Sequence, residues 1–132
     1  MITNGVDIVS IDRIEKALGR SGDAFFSRVC AKEEIEIAPK LATRRVEFLA
    51  GRFAAKEAVS KALGTGIGGK GVSMTDIKIL KKENGAPRAE LSGAALKVFE
   101  SEGGKNISLS ISHDHGAAIA FCCIEWKDEG QK

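Results

Sequence analysis

Phe48-Leu-Ala-Gly-Arg-Phe-Ala-Ala-Lys-Glu-Ala-Val-Ser-Lys-Ala-Leu-Gly64 is the stretch on which the reading of this chain turns. At about 100° per residue, Phe48, Ala55, Val59, Ala62 and Leu63 fall on one face of a helix, the expected core face. Glu57 and Lys61 lie one turn apart on roughly the opposite face. Ala50 and Ala54 flank them and are too small to shield them, so the spacing predicts a carboxylate and an ammonium on an otherwise bare surface. Gly51 costs roughly 1 kcal/mol against Ala inside a helix, which predicts close packing there. Thr43 is the expected N-cap and Gly64 the expected C-terminal stop. Taken alone, Glu57 and Lys61 are equally an ordinary solvated i,i+4 pair, worth about 0.2–0.5 kcal/mol.

Working toward the N-terminus, Ile2–Val9 alternates as a strand, with Val6 and Ile8 on one face and Gly5 and Asp7 on the other. A carboxylate within an apolar strand is costly to bury unless it is paired or metal-bound; accepting a backbone hydrogen bond at a strand end would also satisfy Asp7. Ser10 is placed to cap a helix through Leu18, with Gly19 positioned to stop it. Arg13, Lys16 and Arg20 follow at i, i+3 and i+7 as a basic ridge, which by itself is consistent with a solvated helix face. Asp23 can open a short helix carrying Phe25, Phe26 and Val29. A further helix is expected over Ala31–Ala38, ending near Pro39.

Toward the C-terminus, Gly64-Thr-Gly-Ile-Gly-Gly-Lys-Gly71 begins like a phosphate-binding P-loop, but Gly71 stands where Ser or Thr is required. The order is also wrong, because a P-loop follows a strand and opens a helix, whereas this segment follows a helix and opens a strand. It reads as a loop beside the site. Ile77-Lys-Ile-Leu and Arg88–Leu91 form a hairpin around Asn84-Gly85. Ser92 starts a helix with Leu96, Val98 and Phe99, broken at Gly103-Gly104. Ile107, Leu109 and Ile111 then alternate with Ser108, Ser110 and Ser112, and Ala117–Trp126 returns beside them. The intervening His113-Asp114-His115-Gly116 is short of ligands for zinc, and a Ser-His-Asp triad would need distant residues in defined geometry. Without other information it is a polar turn. The whole is an α+β chain with mainly antiparallel strands packed on one long central helix and shorter helices.

Three of these segments together are specific. Gly5-Val6-Asp7, the string Arg52-Phe53-Ala54-Ala55-Lys56-Glu57-Ala58-Val59-Ser60-Lys61-Ala62, and Ser110-Ile111-Ser112-His113 resemble the motifs of 4′-phosphopantetheinyl transferases, in a chain as short as the holo-[acyl-carrier-protein] synthase branch. The likeness runs from about Ile2 to Phe121. It implies the family's compact fold and its reaction, transfer of the 4′-phosphopantetheine arm of coenzyme A to a serine of apo-acyl carrier protein with release of adenosine 3′,5′-bisphosphate, in support of fatty acid biosynthesis. It implies Asp7 and Glu57 as the metal ligands, and two hard oxygen donors suit Mg²⁺, which fills its remaining positions with water and substrate phosphate. Coenzyme A is expected at Lys61, Gly64, Ser112 and His113. Catalysis is expected from Glu57 and Lys61, with those two residues and a metal-bound water all open as the base for the serine proton. The ridge of Arg13, Lys16 and Arg20 is expected to dock an acidic carrier protein. The family further implies a homotrimer with its sites between subunits; His115 stays a turn residue.

Composition limits the other classes. At 132 residues the chain is expected to form one domain over residues 1–126, with a frayed tail over 127–132. Hydrophobic residues make up 43% and charged residues 29%, as in an ordinary globular chain. No apolar run approaches the roughly 20 residues that span a bilayer, and Met-Ile-Thr-Asn predicts no secretory leader, so no membrane is expected and the setting is expected to be cytoplasmic. Cys30, Cys122 and Cys123 are an odd set without metal-ligand spacing and are expected as reduced thiols. A net charge of +2 with one Trp and no Tyr argues against nucleic acid. A non-catalytic relative that only binds carrier or coenzyme would have no need of both carboxylates and Lys61.

Overall fold

The computed structural model describes residues 1–129. The elements run β1 (Ile2–Ser10), α1 (Ile11–Val29), α2 (Lys32–Ile37), α3 (Ala42–Leu63), β2 (Ile77–Lys81), β3 (Pro87–Leu91), α4 (Gly93–Ser101), β4 (Gly104–Asp114) and β5 (Ala117–Trp126). Short 3₁₀ turns at Gly69–Gly71 and Met74–Asp76 link α3 to β2. β1, β5 and β4 form an antiparallel three-stranded sheet in that order, and β2 and β3 form a separate hairpin. The β4–β5 connection is the two-residue turn His115-Gly116, both at positive φ (48° and 74°), as a tight hairpin requires.

Helix α3 is the centre. The expected core face holds, since Phe48, Ala55, Val59, Ala62 and Leu63 are all buried. The expected bare face does not: Ala50 and Ala54 are fully buried as well. One hydrophobic cluster joins Ala54, Ala58 and Ala62 to β5, β2 and α4, and another joins Phe48, Leu49 and Ala50 to α1. The helix is therefore covered on nearly every side, and its small residues let the neighbours approach. Its N-cap is Leu41, not Thr43; no side chain caps the first turn, and the Leu41 carbonyl accepts from Arg45 N at 2.9 Å. Its end is as expected, with Gly64 left-handed at φ 86°.

The sharpest contact on α3 is at Gly5. A Cβ built there would lie 2.0 Å from the Ala58 carbonyl oxygen, so β1 rests directly on the helix backbone. Gly5→Ala must push strand and helix apart, and should destabilise by about 2–3 kcal/mol, seen as a lower urea midpoint. A variant that melts like the wild type would mean that the two backbones are not in this contact.

Gly19 does not stop α1. The helix carries on and breaks at Gly22 (φ 53°), after which a second helical segment carries Phe25, Phe26 and Val29. Ser10 caps α1 as expected, accepting from Arg13 N at 3.3 Å. Between α2 and α3 lies a buried ion pair. Lys56 Nζ donates to Glu34 Oε1 at 2.7 Å, to the Met74 carbonyl at 2.9 Å and to the Ile77 carbonyl at 2.6 Å. Glu34 also accepts from Ala31 N at 2.9 Å and Ile79 N at 3.0 Å. Every ammonium proton thus has an acceptor. Burial pulls the Lys56 pKa down and Glu34 opposes that shift.

The outer face of the sheet carries apolar side chains in register. Val6 pairs with Phe121 and Ile8 with Ile119, and these four are 41–65% exposed. Next to them on β4 stand Ser110 and Ser112. All three cysteines are free; Cys30 and Cys122 are buried, and burial raises both thiols to about 12. At the expected tail, Lys127 N donates to the Gly103 carbonyl at 2.8 Å, and Asp128 sits 3.7 Å from the N-terminal amine. Residues 130–132 of that tail lie outside the described residues.

Candidate functional site

The close approach at Gly5 sets the site. Two residues on, Asp7 points to the same side of β1 and meets α3 beside Glu57 and Lys61. Lys61 Nζ lies 3.3 Å from Asp7 Oδ1 and donates to the Val6 carbonyl at 2.9 Å. The Asp7 side chain is 19% exposed and that of Lys61 49%. Partial burial raises the Glu57 pKa, the Asp7 charge raises it further, and Lys61 partly offsets both. A carboxylate whose ionisation is opposed by a second one nearby gains from a cation between them. Among the described residues no group of three or more His, Cys, Asp or Glu could hold a metal. Two partly exposed carboxylates fit an ion that takes its other ligands from water and phosphate, as Mg²⁺ does.

Beside Lys61 opens a hollow of about 650 Å³, lined by Gly64, Thr65 and Lys70 on one side and Leu63, Val98 and Trp126 on the other. The glycine-rich segment after α3 thus shares this hollow with Lys61, while Asp7 and Glu57 are not among its lining residues. Trp126 Nε1 donates to Thr3 Oγ1 at 2.7 Å, and Thr3 Oγ1 donates to the Ala62 carbonyl at 2.7 Å, which ties β1 and β5 to the end of α3.

His113 stands elsewhere. Its Nε2 lies 3.0 Å from the Glu47 carbonyl oxygen, to which the Nε2–H tautomer donates. The ring also sits against Gly51, where a Cβ would come within 3.0 Å of Nε2, so the packing expected of Gly51 is real. Gly51 precedes Glu57 by six residues, about 9 Å along the helix. His113 is thus on the N-terminal half of α3 and Asp7, Glu57 and Lys61 on the C-terminal half. Ser112, paired with Ile119, belongs to the outward face and does not share a side with His113.

On α1, Arg13 and Arg20 border a second hollow of about 330 Å³ floored by Ile14, Ala17, Phe25 and Phe53. Lys16 is not part of it; its ammonium pairs with Asp12 Oδ2 at 3.0 Å. The sequence places Phe25 only on the short helix opened by Asp23 and assigns Phe53 no separate role. Phe53 stood in the quoted string, and a bulky ring away from the core face of α3 was the available signal.

Comparison with known proteins gives the following. A sequence model described as the 4′-phosphopantetheinyl transferase superfamily matches residues 4–122. A holo-[acyl-carrier-protein] synthase of Aliivibrio fischeri is 49% identical over 121 residues, 92% of this chain and 94% of that one. The crystal structure of a holo-[acyl-carrier-protein] synthase from Neisseria meningitidis superposes with a TM-score of 0.86 at 40% identity, covering 95% of this chain and 99% of that one. One from Helicobacter pylori, in complex with coenzyme A, gives 0.79 at 42% identity, covering 95% and 100%.

Proposed function

The chain belongs to the 4′-phosphopantetheinyl transferase superfamily, and on that premise we propose that it is a Mg²⁺-dependent holo-[acyl-carrier-protein] synthase. A serine hydroxyl oxygen of apo-acyl carrier protein attacks the phosphorus that carries the pantetheine arm. The P–O bond to the adenosine phosphate breaks, and adenosine 3′,5′-bisphosphate leaves with the electron pair. The observation that carries the reading is the meeting of Asp7, Glu57 and Lys61 beside an open hollow. Asp7 and Glu57 would hold the ion, which when bound neutralises pyrophosphate charge and steadies the leaving group. Lys61, half-exposed at the rim, reaches phosphate as a point charge, and Gly64 lets backbone approach it. Glu57, beside Asp7 and Lys61, is placed to receive the serine proton as a carboxylate base. The deciding experiment is the mass of an apo-acyl carrier protein after incubation with this protein, coenzyme A and Mg²⁺. Gain of the arm is expected, and an unchanged carrier refutes the reading.

The carrier's place is the hollow between Arg13 and Arg20, basic at the rim and apolar at the floor, with the paired Lys16 a lesser contributor. An acidic carrier is drawn by the rim, so association weakens as salt rises. Arg13→Glu should raise the KM for carrier about tenfold or more and leave that for coenzyme A nearly unchanged. An unaltered carrier KM would remove α1 as the docking surface.

The assembly is a homotrimer. Its support is the outward apolar face of Val6, Ile8, Ile119 and Phe121, a patch that association would bury. The separation of His113 from its own chain's carboxylates supports a site shared between neighbours, with His113 donating to the coenzyme's 3′-phosphate from one subunit and Ser112 contributing from the outer face of the sheet. Complementation tests this. Glu57→Ala and His113→Ala chains are each weak or inactive alone. After co-refolding, mixed oligomers pair an intact His113 with intact Asp7 and Glu57, so activity exceeds the sum of the two. Mixed oligomers verified by mass that never exceed that sum overturn the shared site. The cysteines, all free thiols, fit a reducing cytoplasm, where the product serves fatty acid biosynthesis. Among the described residues no helix is long and apolar enough to cross a membrane.

A further inference from the structure

Lys61 is engaged on two oxygens of β1 at once, the Val6 carbonyl and Asp7 Oδ1. One of these is an oxygen that the reading above gives to the metal. An ammonium 3.3 Å from a carboxylate oxygen takes up much of its field. A divalent cation arriving at Asp7 and Glu57 therefore meets a positive charge already in place. The geometry points to Lys61 as an internal counter-cation that holds Asp7 until metal and coenzyme phosphate arrive, and that they then displace onto the phosphate. The inference rests on Asp7 and Glu57 being the metal ligands.

Three features favour exchange over a fixed bridge. The Lys61 side chain is half-exposed, so it can swing without opening the core. An ion pair of that exposure is weak enough to be traded for another. And a single ammonium between two carboxylates leaves one negative charge uncompensated, which keeps the place attractive to a divalent ion. Coenzyme and metal then strengthen one another: phosphate draws the ammonium off Asp7, and the vacated carboxylate binds the ion more firmly. An unliganded chain would hold the metal loosely and gain it with the coenzyme.

The test is Mn²⁺ binding to the purified full chain without coenzyme A, read from the paramagnetic resonance signal of free Mn²⁺. Lys61→Met, which keeps the length and removes the charge, should bind Mn²⁺ about threefold to tenfold more tightly than the wild type. Lys61→Arg keeps the charge and should stay close to the wild-type affinity. Equal or weaker binding by Lys61→Met overturns the proposal, as does equal tightening by Lys61→Arg. Asp7→Asn separates the two levels. If it abolishes Mn²⁺ binding while Lys61→Met brings no gain, the metal site stands and the counter-cation does not. If the wild type shows no Mn²⁺ binding that depends on Asp7, the metal site fails and the proposal with it.

Discussion

Glu34→Ala should remove most of the stability of this chain. It leaves the Lys56 ammonium fully buried without its carboxylate, and breaking a buried pair from one side costs about 3–5 kcal/mol. It also leaves the Ala31 and Ile79 amides without an acceptor. Against a typical total of about 5–15 kcal/mol, a large unfolded fraction is expected at 37 °C, measured by urea unfolding. Glu34→Met combined with Lys56→Met should recover part of the loss, because no uncompensated charge remains. A double variant as unstable as Glu34→Ala would show that the hydrogen bonds to the backbone, and not the charge, are what the site needs.

Asp7→Ala or Glu57→Ala should lower transfer by about a thousandfold or more, the scale of several kcal/mol in transition-state charge stabilisation. EDTA should stop the wild type and Mg²⁺ restore it; full activity in a metal-free assay would end the metal reading. Folding should survive both changes. The Glu57 pKa in the fold lies above the ordinary value because of burial and Asp7. The folded chain therefore binds this proton more readily than the unfolded one, and stability is lost as pH rises from the ordinary carboxylate value through the raised folded one. Glu57→Gln should melt slightly higher than the wild type at neutral pH while remaining inactive. As pH falls through the raised pKa of the metal-free chain, Glu57 protonates and the fold gains, whereas a bound cation would favour the carboxylate and carry its titration lower.

Much of this arrangement was legible because it is periodic or local. The alternation in β4 and β5, the Asn84-Gly85 hairpin and the Gly64 stop each depend on residues near one another in the chain. The Asp7–Glu57–Lys61 cluster came from motif resemblance, and its geometric cause, the absence of a Cβ at Gly5, appears only when strand and helix are seen together. The error at Ala50 and Ala54 has a plain origin. Periodicity marks a buried face only if the other face meets water, and α3 is covered by the sheet, α1 and the β2–β3 hairpin. Gly19 misled for a related reason: a cost of about 1 kcal/mol does not end a helix whose flanking residues Ile14 and Leu18 are packed, whereas the positive φ of Gly22 does. Glu34 and Lys56 gave no sign of pairing, since 22 residues separate them and two charged residues in helices read as surface. The Phe25–Phe53 floor is likewise a tertiary product.

The covering of α3 bears on how the chain breathes. Amide hydrogens from Ala54 to Ala62 are shielded by a sheet, helices and a hairpin at once, so they should exchange with solvent only through global opening, at the free energy of unfolding. Glu57 and Lys61 are carried on that slowest-exchanging segment. Their spacing would therefore outlast any partial melting at the chain's edges, and loss of the site would coincide with loss of the fold.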